Sequence, residues 1–124
     1  MIRILVTGGR DFLNQTLLYD TMDGFLSAHG TVTVLQGGAR GADALAHKWC
    51  CERGIPCEVY PADWRKHGKK AGPLRNSRML EEGKPDLLVA FPGGTGTADM
   101  TRKARASGVR TVEIVGPDQE HPTE

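Results

Sequence analysis

Short apolar runs alternate along this chain with longer stretches of helical periodicity, a pattern that admits few folds other than a parallel sheet flanked by crossover helices. Ile2 to Thr7, Thr31 to Gln36, Cys57 to Tyr60, Asp86 to Phe91 and Arg110 to Val115 read as five strands. Leu18, Met22, Phe25 and Leu26 recur at three- and four-residue spacing, predicting a helix over about residues 16–28 that Gly30 ends. Ala42, Leu45, Ala46 and Trp49 mark a second helix over about residues 41–53, stopped by Gly54 and Pro56. Pro73 suits the first turn of a third, reaching about Glu82, and a fourth runs from about Thr97 to Ser107. Between them Pro61 to Gly72 reads as a polar, basic connection, long for a loop after a strand. The expected fold is α/β, a single-domain Rossmann-like three-layer sandwich with about five mostly parallel strands. The domain covers residues 1–115, and residues 116–124, with Pro117 and Pro122, read as a flexible tail.

A chain of 124 residues with 39% hydrophobic content supports one core of this kind and leaves no room for a second domain. Sixteen Lys and Arg against fifteen Asp and Glu give a formal net charge of +1, so any anion site must be local. The neutral balance and the 6% aromatic content also argue against a nucleic-acid platform. Cys50, Cys51 and Cys57 are odd in number and read as reduced thiols of a cytoplasmic protein. The histidines are scattered without zinc spacing, so neither a metal nor a tightly held cofactor is expected. No apolar run approaches the length of a membrane span, and no secretory leader is read at the N-terminus.

In open parallel sheets, ligands bind beyond the carboxyl ends of the strands. Three segments at those ends are glycine-rich: Thr7-Gly8-Gly9-Arg10-Asp11, Gly37-Gly38-Ala39-Arg40-Gly41-Ala42-Asp43 and Pro92-Gly93-Gly94-Thr95-Gly96-Thr97. Glycine lets backbone amides approach a phosphate closely, and the helix behind each loop aims its free N–H groups the same way. A tight strand-to-helix turn also needs glycine for geometry alone, so a single such loop says little. The third says most, because it combines three glycines with two hydroxyls at a helix start. Neither G-x-x-x-x-G-K-[ST] nor G-x-G-x-x-G is present, which disfavours an ordinary ATPase or dehydrogenase.

Arg10 and Arg40 sit within glycine loops, where each is either a phosphate clamp or half of a surface ion pair. Asp11 and Asp43 are placed to orient them or to accept from a ribose hydroxyl. Residues 64–80 hold Arg65, Lys66, Lys69, Lys70, Arg75 and Arg78 without an acid, either a solvated basic face or a flap bringing cations and the Trp64 ring over the pocket. Arg75 and Asn76, near the start of the third helix, are placed to face the ligand.

These motifs, in this order, resemble the YspA-like branch of the SLOG superfamily, which also includes the LOG phosphoribohydrolases and the DNA-processing protein DprA. The resemblance rests on Val6 to Phe12, Gly37 to Asp43, Asp63-Trp64 through Ala71-Gly72-Pro73-Leu74-Arg75-Asn76 with Met79, and Pro92 to Thr97. It implies a Rossmann-like fold, a nucleotide-derived ligand and self-association into a homo-oligomer. LOG enzymes carry P-G-G-x-G-T-x-x-E, whose glutamate works with an arginine to cleave an N-glycosidic bond. Here the arginine is kept as Arg75, while Met100 stands in the glutamate's place and the carboxylate falls one position earlier, at Asp99. The leading expectation is a binding or sensor domain for a nucleoside monophosphate, ADP-ribose or an NAD-related molecule. The competing one is a LOG-like hydrolase using Arg75 and Asp99 as catalytic residues, and a nucleic-acid-binding module comes third.

Overall fold

The five apolar runs form five strands, β1 (Ile2–Thr7), β2 (Val32–Gln36), β3 (Cys57–Val59), β4 (Leu87–Ala90) and β5 (Arg110–Glu113), in a computed structural model that describes residues 1–116. All neighbours pair in parallel, in the order β3-β2-β1-β4-β5. The helices are α1 (Gln15–His29), α2 (Ala42–Arg53), α3 (Trp64–His67), α4 (Ala71–Gly83) and α5 (Thr95–Ala106). Of the expected tail, Gly116 is buried, and the rest lies outside the described residues.

Strand alternation sends side chains to two cores. Ile4 and Val6 of β1 pack with Leu18 and Met22 of α1 and with Ala46 and Trp49 of α2. Leu5, between them, faces the other way, joining Leu35, Leu88, Met79 of α4, and Met100 and Ala104 of α5. The result is a three-layer, Rossmann-like sandwich. Strands β2 and β4 are buried at every position, as strands covered on both faces require.

Helix ends follow local chemistry. The Asn14 side chain accepts from the Leu17 amide at 3.0 Å and caps α1, and the Gly30 amide closes it on the Leu26 carbonyl at 2.8 Å. Strands β2 to β5 are one or two residues shorter than the sequence reading, and two differences among the helices bear on the site. Pro61 to Gly72 is not a loop: Asp63 accepts from the Lys66 amide at 3.1 Å and starts α3, a 3-10 turn follows over Gly68–Lys70, and α4 begins at Ala71. Helix α5 begins at Thr95 rather than Thr97, because Gly94 already accepts the first helical bond, from the Ala98 amide at 3.0 Å.

A polar clasp ties β1 to the far edge of the sheet. Arg3 donates through both terminal nitrogens to Glu58 of β3, at 2.9 and 2.7 Å, and through Nε to the Gly83 carbonyl at 2.7 Å. The pair is only partly shielded, so its net worth is about 1–2 kcal/mol. Arg3→Ala is expected to lower the melting temperature by roughly 3–8 °C, measured by circular dichroism, and an unchanged melting temperature would show the clasp to be idle.

Candidate functional site

In the order β3-β2-β1-β4-β5 the direction of winding reverses between β1 and β4, where the loops leaving the two strands part and leave a crevice. An open cleft of about 1270 Å³ lies there. Its wall takes Thr7, Gly8, Gly9, Arg10 and Asp11 from the first loop, Pro92 through Asp99 from the third, and Trp64, Arg75 and Asn76 from α3 and α4. Of the second loop, only Ala39 and Asp43 reach it.

Gly9 joins the three loops. Its amide donates to the Pro92 carbonyl at 2.9 Å, and its carbonyl accepts from Ala42 at 3.1 Å and Phe12 at 3.2 Å. Gly41, at φ +79°, lies so close beneath that a Cβ would strike the Gly9 carbonyl oxygen. Gly8, Gly37 and Gly93 are likewise hemmed in, by Ala42, by the Arg75 guanidinium and by Thr97, and Gly38 packs on Val59. Packing therefore accounts for most of the glycines in the first two loops.

Gly94 and Gly96 are different. A Cβ at either would meet nothing within 4 Å, and neither has a positive φ. Both line the cleft at the N-terminus of α5, which has no side-chain cap. The N–H groups of Thr95, Gly96 and Thr97 find no protein acceptor among the described residues, since the first helical bond comes from Ala98. This is an uncapped, sterically open helix start with the partial positive charge of its dipole behind it.

Charged side chains surround it. Arg75 donates through Nη1 to the Gly37 carbonyl at 2.8 Å and through Nε to Asn76 Oδ1 at 3.0 Å. Asn76 passes the link on, donating to Asp99 Oδ2 at 3.0 Å and the Gly96 carbonyl at 3.3 Å. Asp99 also holds Arg102 at 2.6 Å and Lys103 at 3.1 Å. Burial works to raise its pKa, but hydrogen bonds from Asn76, Lys103 and Arg102 win and hold the carboxyl below its usual range. Arg10 stacks over the Trp64 ring, 5.0 Å from its centre, and Trp64 is half exposed at the cleft mouth. Arg40 is absent from the wall and pairs with Asp11 in solvent at 3.5 Å. Lys69 and Arg102 also line the cleft. Arg102 went unread in the sequence, although its i,i+3 spacing from Asp99 was there to find.

A family model described as "YspA, cpYpsA-related SLOG family" matches residues 2–67, more than half of the chain. This chain belongs to that family. The gene 61 protein of Mycobacterium phage D29 is 40% identical to this SLOG protein over 123 residues, covering 92% of the chain and 97% of the relative. Among solved structures, MurG of Acinetobacter baumannii superposes with a TM-score of 0.57 at 15% identity over 91% of the chain. A UDP-GlcNAc 2-epimerase from Neisseria meningitidis, bound to UDP-GlcNAc, gives 0.59 at 16% identity over 94%. The chain spans about a third of the length of each of these two. A C-terminal hydrogenase domain from Pyrococcus furiosus gives 0.58 at 18% identity, covering 91% of both chains. At such identities the likeness is one of fold.

Within this SLOG domain Met100 is 1% exposed and packs in the core with Leu5, Met79 and Leu88. Asp99, turned by roughly 100° on the same helix, lines the cleft instead. Among the described residues no three His, Cys, Asp or Glu side chains gather as a metal site, and no helix is long and apolar enough to cross a membrane. Cys50 is buried, Cys51 exposed and Cys57 half-buried, all as free thiols.

Burial pushes the Asp43 carboxyl up to about 6, against the pull of the Ala39 amide, the Arg75 guanidinium and the Gly37 amide. A carboxyl raised on folding from its ordinary 3.8 contributes stability below that value and loses it as pH rises through about 6. Relative to Asp43→Asn, the ligand-free wild type should therefore lose on the order of 2–3 kcal/mol between pH 4 and pH 7. Urea unfolding at the two pH values measures the difference, and a gap that stays constant would contradict the burial of a charged Asp43.

Proposed function

We propose that the cleft binds a phosphate-bearing, nucleotide-derived small molecule, as a ligand-binding or sensor domain, with the phosphate seated on the N-terminus of α5. The observation that carries this reading is the pair Gly94 and Gly96, which no packing contact or positive φ demands, beside three amides without protein acceptors. A phosphate supplies the acceptors and the negative charge that such a helix start favours. Arg10, Lys69 and Arg75 on the same wall add fixed cations, and the guanidinium of Arg10, laid over Trp64 at the cleft mouth, offers a planar surface for a base. Membership of the SLOG family supports the same ligand class, and a distant fold relative is seen bound to UDP-GlcNAc.

Binding is favoured over glycosidic cleavage because Met100 cannot move a proton and is packed in the core. Asp99 reaches the cleft, but Asn76, Lys103 and Arg102 occupy its oxygens. Calorimetric titration with nucleoside monophosphates, ADP-ribose and NAD tests the reading. Saturable binding of at least one, lost in Gly94→Asp, is expected. Failure of every member to bind would sink it. Chromatography of the same mixtures for free base tests the hydrolase alternative, and the expected result is no turnover.

A further inference from the structure

Asp43 does not spend its whole carboxylate on the protein. The residue is 7% exposed, on the wall of the cleft, and Oδ2 accepts from the Gly37 and Ala39 amides at 3.2 Å each. Oδ1 has no hydrogen-bond partner and no ion pair among the described residues, although Arg75 and Arg10 lie near enough to be felt. Nor is it sealed away: among the described residues the only side-chain oxygen or nitrogen that is both shut off and unpartnered is the Tyr19 hydroxyl. A largely buried carboxylate oxygen with free lone pairs takes a donor, water in the free protein and a ligand group once the cleft is filled. A phosphate oxygen cannot serve, since it would set like charges together, whereas an alcohol O–H can.

The place of Asp43 in the fold says which alcohol. It follows β2, the open helix start follows β4, and β1 lies between them. Adjacent strands are about 4.8 Å apart, so the two features stand roughly 10 Å apart along the sheet edge. Trp64, on α3 after β3, comes back over the first loop to stand beneath Arg10 at the cleft mouth. A nucleotide with its phosphate on α5 that extends across β1 brings its pentose toward Asp43.

We propose that Oδ1 of Asp43 accepts a hydrogen bond from a ribose hydroxyl, making the cleft selective for ribonucleotide-derived ligands over their deoxy counterparts. This rests on the nucleotide reading above and names its sugar. Asp43→Asn is the discriminating variant, because the amide oxygen still serves the two loop amides while the charged free acceptor becomes a neutral N–H₂ donor, which can only give a hydroxyl a weaker bond of reversed direction.

The experiment is calorimetric titration of wild type and Asp43→Asn with AMP, GMP, CMP and UMP and the 2′-deoxy and 3′-deoxy form of each. In the wild type, loss of one of the two hydroxyls should weaken the best-bound nucleotide about tenfold or more. In Asp43→Asn the preference for the ribo form should shrink by about threefold or more, as a neutral N–H₂ group, able only to donate to the hydroxyl oxygen, replaces the charged acceptor. A purely structural Asp43 would lower every affinity together and leave the ratio untouched. Wild-type affinities equal within about threefold, or a preference reduced by less than about threefold in Asp43→Asn, would overturn the proposal and leave phosphate binding standing. Absence of binding by any nucleotide would overturn both. Should Asp43→Asn fail to fold, amide-resolved NMR of the wild type decides instead: the Gly37 and Ala39 amides, which bond the same carboxyl, should shift more with the ribo form than with the deoxy form, and equal shifts would overturn the proposal.

Discussion

Gly94→Asp is expected to leave the melting temperature within a few degrees of the parent and to weaken nucleoside monophosphate binding by about 100-fold or more. The first half follows from space: a Cβ at Gly94 meets nothing within 4 Å, and the residue lies outside the left-handed region. An aspartate at the start of a helix is also a good cap, so the change favours α5 itself. The second half follows from the same chemistry. A carboxylate in that position accepts from the Gly96 or Thr97 amide from within, and it places a negative charge where the phosphate would sit. Like charges brought together at a binding site cost several kcal/mol, more than the roughly 2.7 kcal/mol that a hundredfold loss represents. Calorimetry and thermal unfolding on one preparation separate the two halves. A large fall in melting temperature would show that Gly94 is needed for folding rather than for the ligand.

Gly41→Ala is expected to do the reverse, destabilising the fold by about 3–5 kcal/mol, a large share of the roughly 5–15 kcal/mol that holds a domain of this size together. An L-residue at φ +79° is strained by about 1–2 kcal/mol. The added methyl group also strikes the carbonyl of Gly9, which is the acceptor for Ala42 and Phe12. Relief requires the first and second loops to separate, and with them the start of α2. Denaturant unfolding measures the loss. A change below about 1 kcal/mol would mean that the loops are not packed as described.

The contrast between these glycines explains what could and could not be read from the chain. The strands were legible because β1, β2 and β4 are apolar runs bounded by glycine, and the stripes of α1 and α2 follow the helical period. Helix α3 was not, since its residues are polar and basic and its anchor is tertiary: Trp64 packs against Gly72 and beneath Arg10. The three glycine-rich segments pointed to the end of the sheet where the cleft opens. Nothing local distinguished Gly41, whose constraint is the Gly9 carbonyl thirty-odd residues away, from Gly94, which has no such constraint. The chain from Arg75 through Asn76 to Asp99 crosses from α4 to α5 and exists only once those helices pack side by side. The free oxygen of Asp43 was equally hidden, because its partners Gly37 and Ala39 are visible only when the loop has folded back on the carboxylate.

The central claim is that the open start of α5 holds a phosphate, and amide-resolved NMR titration of this 13.4 kDa protein tests it most directly. With a nucleoside monophosphate added, the account predicts saturable shifts that are largest at the amides of Gly94, Thr95, Gly96 and Thr97, with smaller ones at Gly9 and Arg75. Saturable shifts confined to other parts of the surface, with those four amides unmoved, would contradict it.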